Sequence, residues 1–154
     1  MKYLFLDTNI YLHYNSFETI PWKKIVNDDF TIVVVPIVQA ELDKIKDTGK
    51  DKLQKRAKTI SSKLYGILME NKSCNVKITR CKEPVLTQED KEQLDLTRND
   101  NRIILSAIKS GYNVQDIVII SADKNIQFTA EDFGIPHLLM PDTYRRKAEK
   151  TEEE

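Results

Sequence analysis

The sequence has few of the cysteine and histidine residues that hold together folds stabilised by disulfide bonds or structural metal ions. Only two of its 154 residues are cysteine and two are histidine, and Cys74 and Cys81 have no cluster of further Cys or His near them in the chain. A structural zinc ion takes four such ligands, so this composition argues against a zinc fold. We interpret both cysteines as free thiols, which is typical of a reducing compartment.

An excess of charge of one sign is also lacking. The chain has 24 Lys and Arg against 24 Asp and Glu, so its formal net charge is zero. This balance excludes a uniformly basic surface of the histone kind. It does not exclude nucleic-acid binding, which needs only a local basic strip. It is equally compatible with a cluster of acids that is balanced by bases elsewhere.

Long apolar runs and low-complexity linkers are absent from the sequence as well. No run approaches the roughly 20 apolar residues that cross a bilayer, and the first residues lead directly into a strand, which leaves no room for a signal peptide. We therefore expect a cytoplasmic protein without membrane contact. With no internal repeat and enough residues for one core, we predict one domain over 1–144 and a charged tail over 145–154.

Short apolar segments alternate with segments of helical period. Strands are predicted at 2–6, 30–35, 75–79, 116–120 and 137–140, and helices at 36–46, 51–70, 100–109 and from 124 to before Gly134. The strand segments do not alternate cleanly between apolar and polar residues, as is typical of parallel strands covered on both faces. The pattern predicts an α/β fold, a three-layer α/β/α sandwich with a central parallel sheet.

Two carboxylates directly follow predicted strands. Asp7 ends the apolar run in "FLDTNI", and Asp123 follows the run in "VIISADKNI". Parallel α/β sheets bind ligands beyond the carboxyl ends of their strands, so both acids could face one crevice. The structural alternative is a helix N-cap, which suits either residue because each precedes a predicted helix.

Two further acids lie on predicted helices. Glu41 shares an i, i+4, i+8 stripe with Ile37 and Ile45, and no basic residue lies on that stripe to pair with it. A glutamate on a buried face costs free energy unless it is compensated. Asp100 begins a helix in line with Ile104, where an acid could instead cap the helix or complement its dipole.

Four converging carboxylates would repel one another, and hard divalent cations with oxygen ligands remove that repulsion. Such cations are the usual device for phosphodiester hydrolysis. We therefore predict that one or two Mg²⁺ or Mn²⁺ ions are bound at a catalytic site. The predicted metal-ligating and catalytic residues are Asp7, Glu41, Asp100 and Asp123. Thr8 and Asn9, which follow Asp7, are predicted to orient the ligands.

A basic segment follows the Glu41 motif. Residues 44–58, "KIKDTGKDKLQKRAK", contain seven basic residues against two acids. We predict that this segment contacts RNA phosphates; the alternative is an ordinary solvated helix face. The predicted RNA-binding residues are Lys44, Lys46, Lys52, Lys55, Arg56 and Lys58.

Four motifs, "FLDTNI", "VVPIVQAELDKIK", "NDNRIILSAI" and "VIISADKNI", occur in the order and spacing of a known family. The chain resembles a PIN domain, the metal-dependent ribonuclease fold of VapC-type toxins and several eukaryotic RNA nucleases. Its motif sequences are most similar to those of the PIN domain that precedes PhoH-type ATPases. The sequence contains no phosphate-binding Gly-rich loop, so the resemblance does not extend to the ATPase. The resemblance implies the strand order 3-2-1-4-5 and a site made by the same four acids. It also implies that Ser121 helps to hold a metal or water, and that Asn125 takes a position where a further Asp or Asn sometimes lies.

We therefore expect a Mg²⁺- or Mn²⁺-dependent endoribonuclease that cleaves single-stranded RNA by metal-activated water, leaving a 5′-phosphate and a 3′-hydroxyl. A structure-specific DNA nuclease and a non-catalytic RNA-binding or interaction module of the same fold are alternatives. A flavodoxin-like or receiver-type protein is a third, although it has no use for Glu41 on an apolar stripe. The expected partner is RNA, with an antitoxin or other protein partner and a homodimer left open.

Overall fold

A five-stranded parallel sheet forms the centre of the computed structural model, which describes residues 1–147. The strand order is β3-β2-β1-β4-β5, as predicted. The rest of the predicted charged tail, 148–154, lies outside the described residues. The strands are β1 (Lys2–Leu6), β2 (Phe30–Val34), β3 (Ile78–Arg80), β4 (Ile117–Ser121) and β5 (His137–Leu139).

Helices cover the sheet and join its strands. They are α1 (Thr8–His13), α2 (Trp22–Val26), α3 (Pro36–Thr48), α4 (Asp51–Glu70), α5 (Gln88–Gln93), α6 (Asn99–Ile108) and α7 (Lys124–Asp132). Short 3₁₀ turns occupy Val114–Asp116 and Asp142–Tyr144. Pro36 is the first helical residue of α3, a position that needs no backbone N–H donor. None of the helices in residues 1–147 combines the length and the apolarity needed to cross a membrane.

The core is densest around β1, the central strand. Leu4 pairs with Ile32 on one side and with Val118 on the other, and both Leu4 and Phe5 are fully buried. Ile104 of α6 is also fully buried. Because β1 is covered on both sides, its run of apolar residues shows no alternation. Burial of this strand fixes the direction in which its carboxyl end points.

The predicted third strand differs from the observed one. The sequence predicts a strand at 75–79, whereas β3 covers Ile78–Arg80. The backbone N–H of Ile32 donates to the carbonyl of Lys77 (2.8 Å), and Ile78 is the first residue in register with β2. Pairing with β2 therefore sets where this edge strand begins. The pattern of apolar residues does not show which strand will pair with it, so the sequence alone does not predict this boundary.

Helices α3 and α4 form a hairpin over one side of the sheet. The two residues 49–50 join them, so the helices run in opposite directions. Val38 and Leu42 of α3 and Ala57 and Leu64 of α4 are buried. The predicted apolar stripe of α4 is thus the face that packs, and its basic residues lie outside or beside that face.

The end of the described chain returns to α1. Tyr14 and Arg145 form an isolated antiparallel bridge. The backbone N–H of Arg146 donates to the carbonyl of His13 (3.0 Å), and its Nε donates to the carbonyl of Leu12 (3.2 Å). The described part of the predicted tail is therefore hydrogen-bonded to the domain.

Candidate active site

Asp7 lies at the end of β1 and is the N-cap of α1. Its Oδ1 accepts the backbone N–H of Asn9 (2.6 Å), and its Oδ2 accepts the hydroxyl of Ser121 (2.5 Å). The residue is only 5% exposed. Burial raises the pKa of the Asp7 carboxyl above its usual value, although the hydrogen bonds oppose this, and the charge of Asp123 raises it further. A buried carboxylate next to another acid is electrostatically unfavourable.

Ser121 links the ends of β1 and β4. Its hydroxyl donates to Asp7 and accepts the backbone N–H of Asp123 (2.9 Å). Asp123 caps α7, because its Oδ1 accepts the backbone N–H of Asn125 (2.8 Å). Asp7 and Asp123 are therefore both helix caps, as the structural alternative predicts, and both still present a second oxygen to the same edge of the sheet.

Asp100 is the second residue of α6 and does not cap it. The N-cap position is Arg98, whose side chain makes no capping hydrogen bond. The Asp100 carboxyl forms a hydrogen bond with the side chain of Asp123, and burial together with Asp123 and Asp7 raises the pKa of Asp100 to about 6. Asp123 raises the pKa of Asp100 because a neighbouring carboxylate disfavours the ionised form of the Asp100 carboxyl.

Glu41 projects from the second turn of α3 toward the same edge. The hydroxyl of Thr8 donates to its Oε1 (3.0 Å), and the side chain of Asn99 is close enough to lower the pKa of the Glu41 carboxyl. The carboxyl is half-buried. Burial raises the pKa of Glu41, and the nearby charge of Asp7 acts in the same direction, whereas Lys44 on the next turn lowers it.

The four predicted acids thus come together from four different elements. Hydrogen bonds join Glu41 to Thr8 and Asp7 to Ser121. Asp123 lies close enough to Asp100 to raise the pKa of its carboxyl. Three of the four have raised pKa values, mainly because they are buried. Neighbouring acids add to the shift in each case. Lys44 and Arg98 act in the opposite direction on Glu41 and Asp100, but burial and the neighbouring acids outweigh them.

The donor set fits a hard divalent cation in its chemistry. All its donors are oxygen atoms of carboxylates and hydroxyls, the set that Mg²⁺ and Mn²⁺ prefer. Within residues 1–147, however, no three acidic, His or Cys side chains already stand in a metal-binding arrangement. The carboxyl oxygens instead face Ser121, Thr8, backbone N–H groups and one another. A cation would require the carboxylates to turn from some of these partners.

The predicted supporting residues act in two ways. Thr8 and Ser121 contact site acids through their hydroxyls. Asn9 and Asn125 contact them only through backbone N–H groups in the described hydrogen bonds, and their side chains are exposed. Sequence reasoning missed Asn99, whose side chain lowers the pKa of Glu41. Asn99 could have been considered from the sequence, because it directly precedes the predicted site residue Asp100 at the start of the same helix.

The predicted RNA-binding residues of segment 44–58 differ in how far their side chains are exposed. Arg56 donates to the carbonyl of Leu12 (3.2 Å) at the end of α1, and Lys46 pairs with Asp43 (3.5 Å). Four lysines are exposed, namely Lys44, Lys52, Lys55 and Lys58. A groove of about 450 Å³ lies between the two helices and is lined by Lys46, Asp47, Gln54, Lys55 and Lys58. The hairpin therefore offers a basic groove on the helix pair that carries Glu41.

Fold and site together define a class of protein, a parallel α/β domain with a carboxylate cluster at the carboxyl edge of its sheet. The chain belongs to the PIN domain family, whose sequence profile matches residues 4–138. This confirms the resemblance inferred from the four motifs. PIN domains are generally nucleases and typically use divalent metals.

No curated protein matches the chain significantly. Among solved structures, the chain is similar to a domain of a functionally unknown protein from Methanocaldococcus jannaschii DSM 2661, with a TM-score of 0.58 and 17% sequence identity. The alignment covers 92% of each chain. At this identity the likeness shows a shared fold and nothing about substrate.

Proposed function

We propose that this protein is a Mg²⁺- or Mn²⁺-dependent endoribonuclease that cleaves single-stranded RNA and leaves a 5′-phosphate and a 3′-hydroxyl. The observation that carries the proposal is the convergence of four carboxylates, three of them with raised pKa values. Unpaired buried acids destabilise a folded domain. Their concentration at one edge of the sheet is explained if they bind a cation during function.

The proposed ligands are Asp7, Glu41, Asp100 and Asp123. When bound, a divalent cation offsets the charge of the phosphate and makes the attacking water more acidic. The hydroxyls of Thr8 and Ser121 hold Glu41 and Asp7 in place, and such support of ligands is a common requirement of metal sites. Asn99 adds a second support for Glu41.

The proposed RNA path runs from the acids onto the α3–α4 hairpin. Lys44 lies one turn beyond Glu41 and is close enough to lower the pKa of its carboxyl. Lys55 and Lys58 line the groove between the two helices. Exposed lysines contact phosphates without reading bases, which supplies affinity rather than sequence preference. The choice of RNA rests on the resemblance to ribonuclease PIN domains.

Cleavage of one unstructured RNA, labelled at either end, tests the proposal in Mn²⁺ and in EDTA. We expect cleavage only with Mn²⁺, products that carry a 5′-phosphate, and much slower cleavage of the same sequence as single-stranded or flap DNA. Asp7→Asn should reduce cleavage by several orders of magnitude while RNA binding, measured by fluorescence anisotropy in Ca²⁺, persists.

Asp132→Asn is the matched control, because Asp132 is an exposed acid at the end of α7. It should cleave like the wild type. Cleavage by Asp7→Asn at the wild-type rate would contradict the proposal. RNA binding without any cleavage in Mn²⁺ or Mg²⁺ would favour the non-catalytic RNA-binding module instead, and preferred cleavage of flap DNA would favour the DNA nuclease.

A further inference from the structure

A second groove lies between α7 and β5, the edge strand of the sheet. Its volume is about 540 Å³, and its lining is mostly apolar. Phe128 is 69% exposed there and Leu139 is 47% exposed. The groove is lined by Lys124, Gln127, Phe128, Glu131, His137 and Leu139. Clefts of this size with an apolar lining and a few polar groups are typical of small-ligand sites.

This groove begins beside the acidic cluster. Lys124 is the first residue of α7, directly after Asp123, and Leu139 pairs with Ser121 across the β4–β5 ladder. Phe128 lies five residues beyond Asp123, about 7.5 Å along the helix axis. That distance corresponds to about two stacked nucleotides at roughly 3.4 Å each. A strand whose phosphate lies at the acids therefore has bases within reach of this ring.

Hydrogen bonds hold two polar side chains of the groove, Gln127 and His137, in place. Nδ1 of His137 lies 2.7 Å from Oε1 of Gln127, and its Nε2 lies 2.7 Å from Oε2 of Glu131. Gln127 is fixed in turn, since its Nε2 donates to the carbonyl of Leu138 (3.0 Å). Both ring nitrogen atoms are thus engaged, which holds the imidazole in place in the groove that Phe128 also lines.

We infer that this groove binds one unpaired nucleobase of the RNA, next to the phosphate that is cleaved. Phe128 stacks on the base, His137 and Leu139 form the other side of the slot, and Lys124 contacts the adjoining phosphate. The inference rests on the proposed nuclease function. It is favoured over a protein partner by the charge at the mouth, where a lysine adjoins the acids that would hold the metal and phosphate.

The inference explains why an aromatic ring is exposed at this position. Single-stranded RNA is bound by stacking of bases on aromatic side chains and by lysines along the backbone. Loss of one stacking platform weakens binding by roughly 5- to 140-fold. The α3–α4 groove would then hold the phosphates on one side of the cleavage site, and the α7–β5 groove a base on the other.

The test measures binding of a ten-nucleotide unstructured RNA to the full chain by fluorescence anisotropy in Ca²⁺. We expect Phe128→Ala and Phe128→Leu to weaken binding, whereas Phe128→Trp keeps it. The indole of Phe128→Trp should also be quenched on binding RNA, while Trp22, which is fully buried, contributes a constant background. Phe128 is too exposed for these changes to unfold the domain, which circular dichroism checks.

Abasic substitutions along the same RNA locate the base. We expect one abasic position, adjacent to the bond cleaved in Mn²⁺, to weaken binding to the wild type but to have little further effect on Phe128→Ala. Such non-additivity is the signature of a direct contact. Met69→Ala is the matched control, because Met69 is 68% exposed in the last turn of α4, and it should bind RNA like the wild type.

The inference would be overturned if Phe128→Ala bound RNA as tightly as the wild type. It would also be overturned if the wild type formed a concentration-dependent dimer and Phe128→Ala dissociated that dimer without losing affinity for RNA. These outcomes leave the proposed function intact if the wild type cleaves RNA. A wild type that neither binds nor cleaves RNA refutes the proposed function itself, and the inference with it. Retained binding by Phe128→Leu would show that apolar contact suffices and would overturn the stacking role.

Discussion

Asp90 and Asp100 lie at the starts of neighbouring helices, yet their surroundings shift their pKa values in opposite directions. Asp90 accepts hydrogen bonds from the Lys109 ammonium (2.5 Å) and the backbone N–H of Thr87 (2.9 Å), and these lower its pKa to about 2. Asp100 faces Asp123 and Asp7, and its pKa is raised to about 6. One acid has the cation and the donors that stabilise its charge, and the other is surrounded by acids.

This difference separates an acid that supports the fold from an acid that we propose binds a cation. Asp90 closes a capping box with Thr87 at the start of α5 and links that helix to α6 through Lys109. At Asp100 the charge of Arg98 is the weakest of the effects on its pKa, and burial and the neighbouring acids outweigh it. Glu18 resembles Asp90, because Lys63 lies 3.0 Å away and lowers the pKa of its carboxyl. Opposite charge outweighs burial at these two acids away from the site, whereas at Glu41 and Asp100 the nearby Lys44 and Arg98 do not offset burial and the neighbouring acids.

The largest expected effect is on cleavage. Asp100→Asn removes a proposed metal ligand and should lower the rate at saturating RNA by several orders of magnitude, because the loss falls mainly on the transition state. Asp90→Asn changes an equally placed acid and should leave that rate unchanged. Single-turnover cleavage in Mn²⁺ measures both. A similar loss of cleavage rate in Asp100→Asn and Asp90→Asn would show that Asp100 has no special role in cleavage.

Metal binding should separate the same two residues in stability. A ligand that binds only the folded state stabilises it, by about 2.7 kcal/mol at a hundred times its Kd. Saturating Mn²⁺ should therefore raise the melting temperature of the wild type and of Asp90→Asn, and do so much less in Asp100→Asn. Thermal unfolding with and without EDTA gives the comparison. An unshifted wild-type transition would mean that the acids bind no Mn²⁺.

The basic groove should affect RNA affinity more than cleavage. Replacing both Lys55 and Lys58 with Ala should weaken binding and reduce the log–log salt slope by about 1.4, since each phosphate contact on a single strand contributes roughly 0.7. Turnover at saturating RNA should be nearly unchanged, because these contacts are equal in ground and transition states. The control replaces the exposed Lys82 and Lys91 with Ala. An unchanged slope in the groove variant would indicate a solvated face only.

In EDTA, Asp100 and Asp90 should affect the pH dependence of the free energy of unfolding in opposite directions. Because folding raises the pKa of Asp100, its favourable contribution is complete below about pH 4 and is lost as the pH rises through about 6. Asp100→Asn should therefore gain stability relative to the wild type between pH 5 and 7, on the order of 1 kcal/mol since partial exposure screens the charge.

Folding lowers the pKa of Asp90, so its contribution is present above about pH 4 and is lost as the pH falls toward about 2. Asp90→Asn should be less stable than the wild type at neutral pH, by a smaller margin than the gain expected for Asp100→Asn. Denaturant unfolding across this pH range measures both variants. A wild type and Asp100→Asn with parallel pH profiles would contradict the raised pKa.

Several elements could be predicted because their signal is local. The stripe of α4 and the apolar runs of β1 and β4 appear in the sequence as periodicity or as buried runs, and the structure places them within a residue or two. Helix α5 has no buried residue, so no apolar stripe marks it. The start of β3 was displaced because its pairing with β2 decides it.

The sequence by itself determined the kind of fold and the residues worth examining, because apolar periodicity reports burial and an acid at a strand end or on an apolar stripe is costly wherever the chain folds. Only the tertiary structure decided how those residues meet. The parallel register that pairs Leu6 with Ile120 brings Ser121 against Asp7, and packing of α6 brings Asp100 to Asp123. The α7–β5 groove likewise arises from two elements whose facing surfaces are set by packing, a long-range property that no local pattern records.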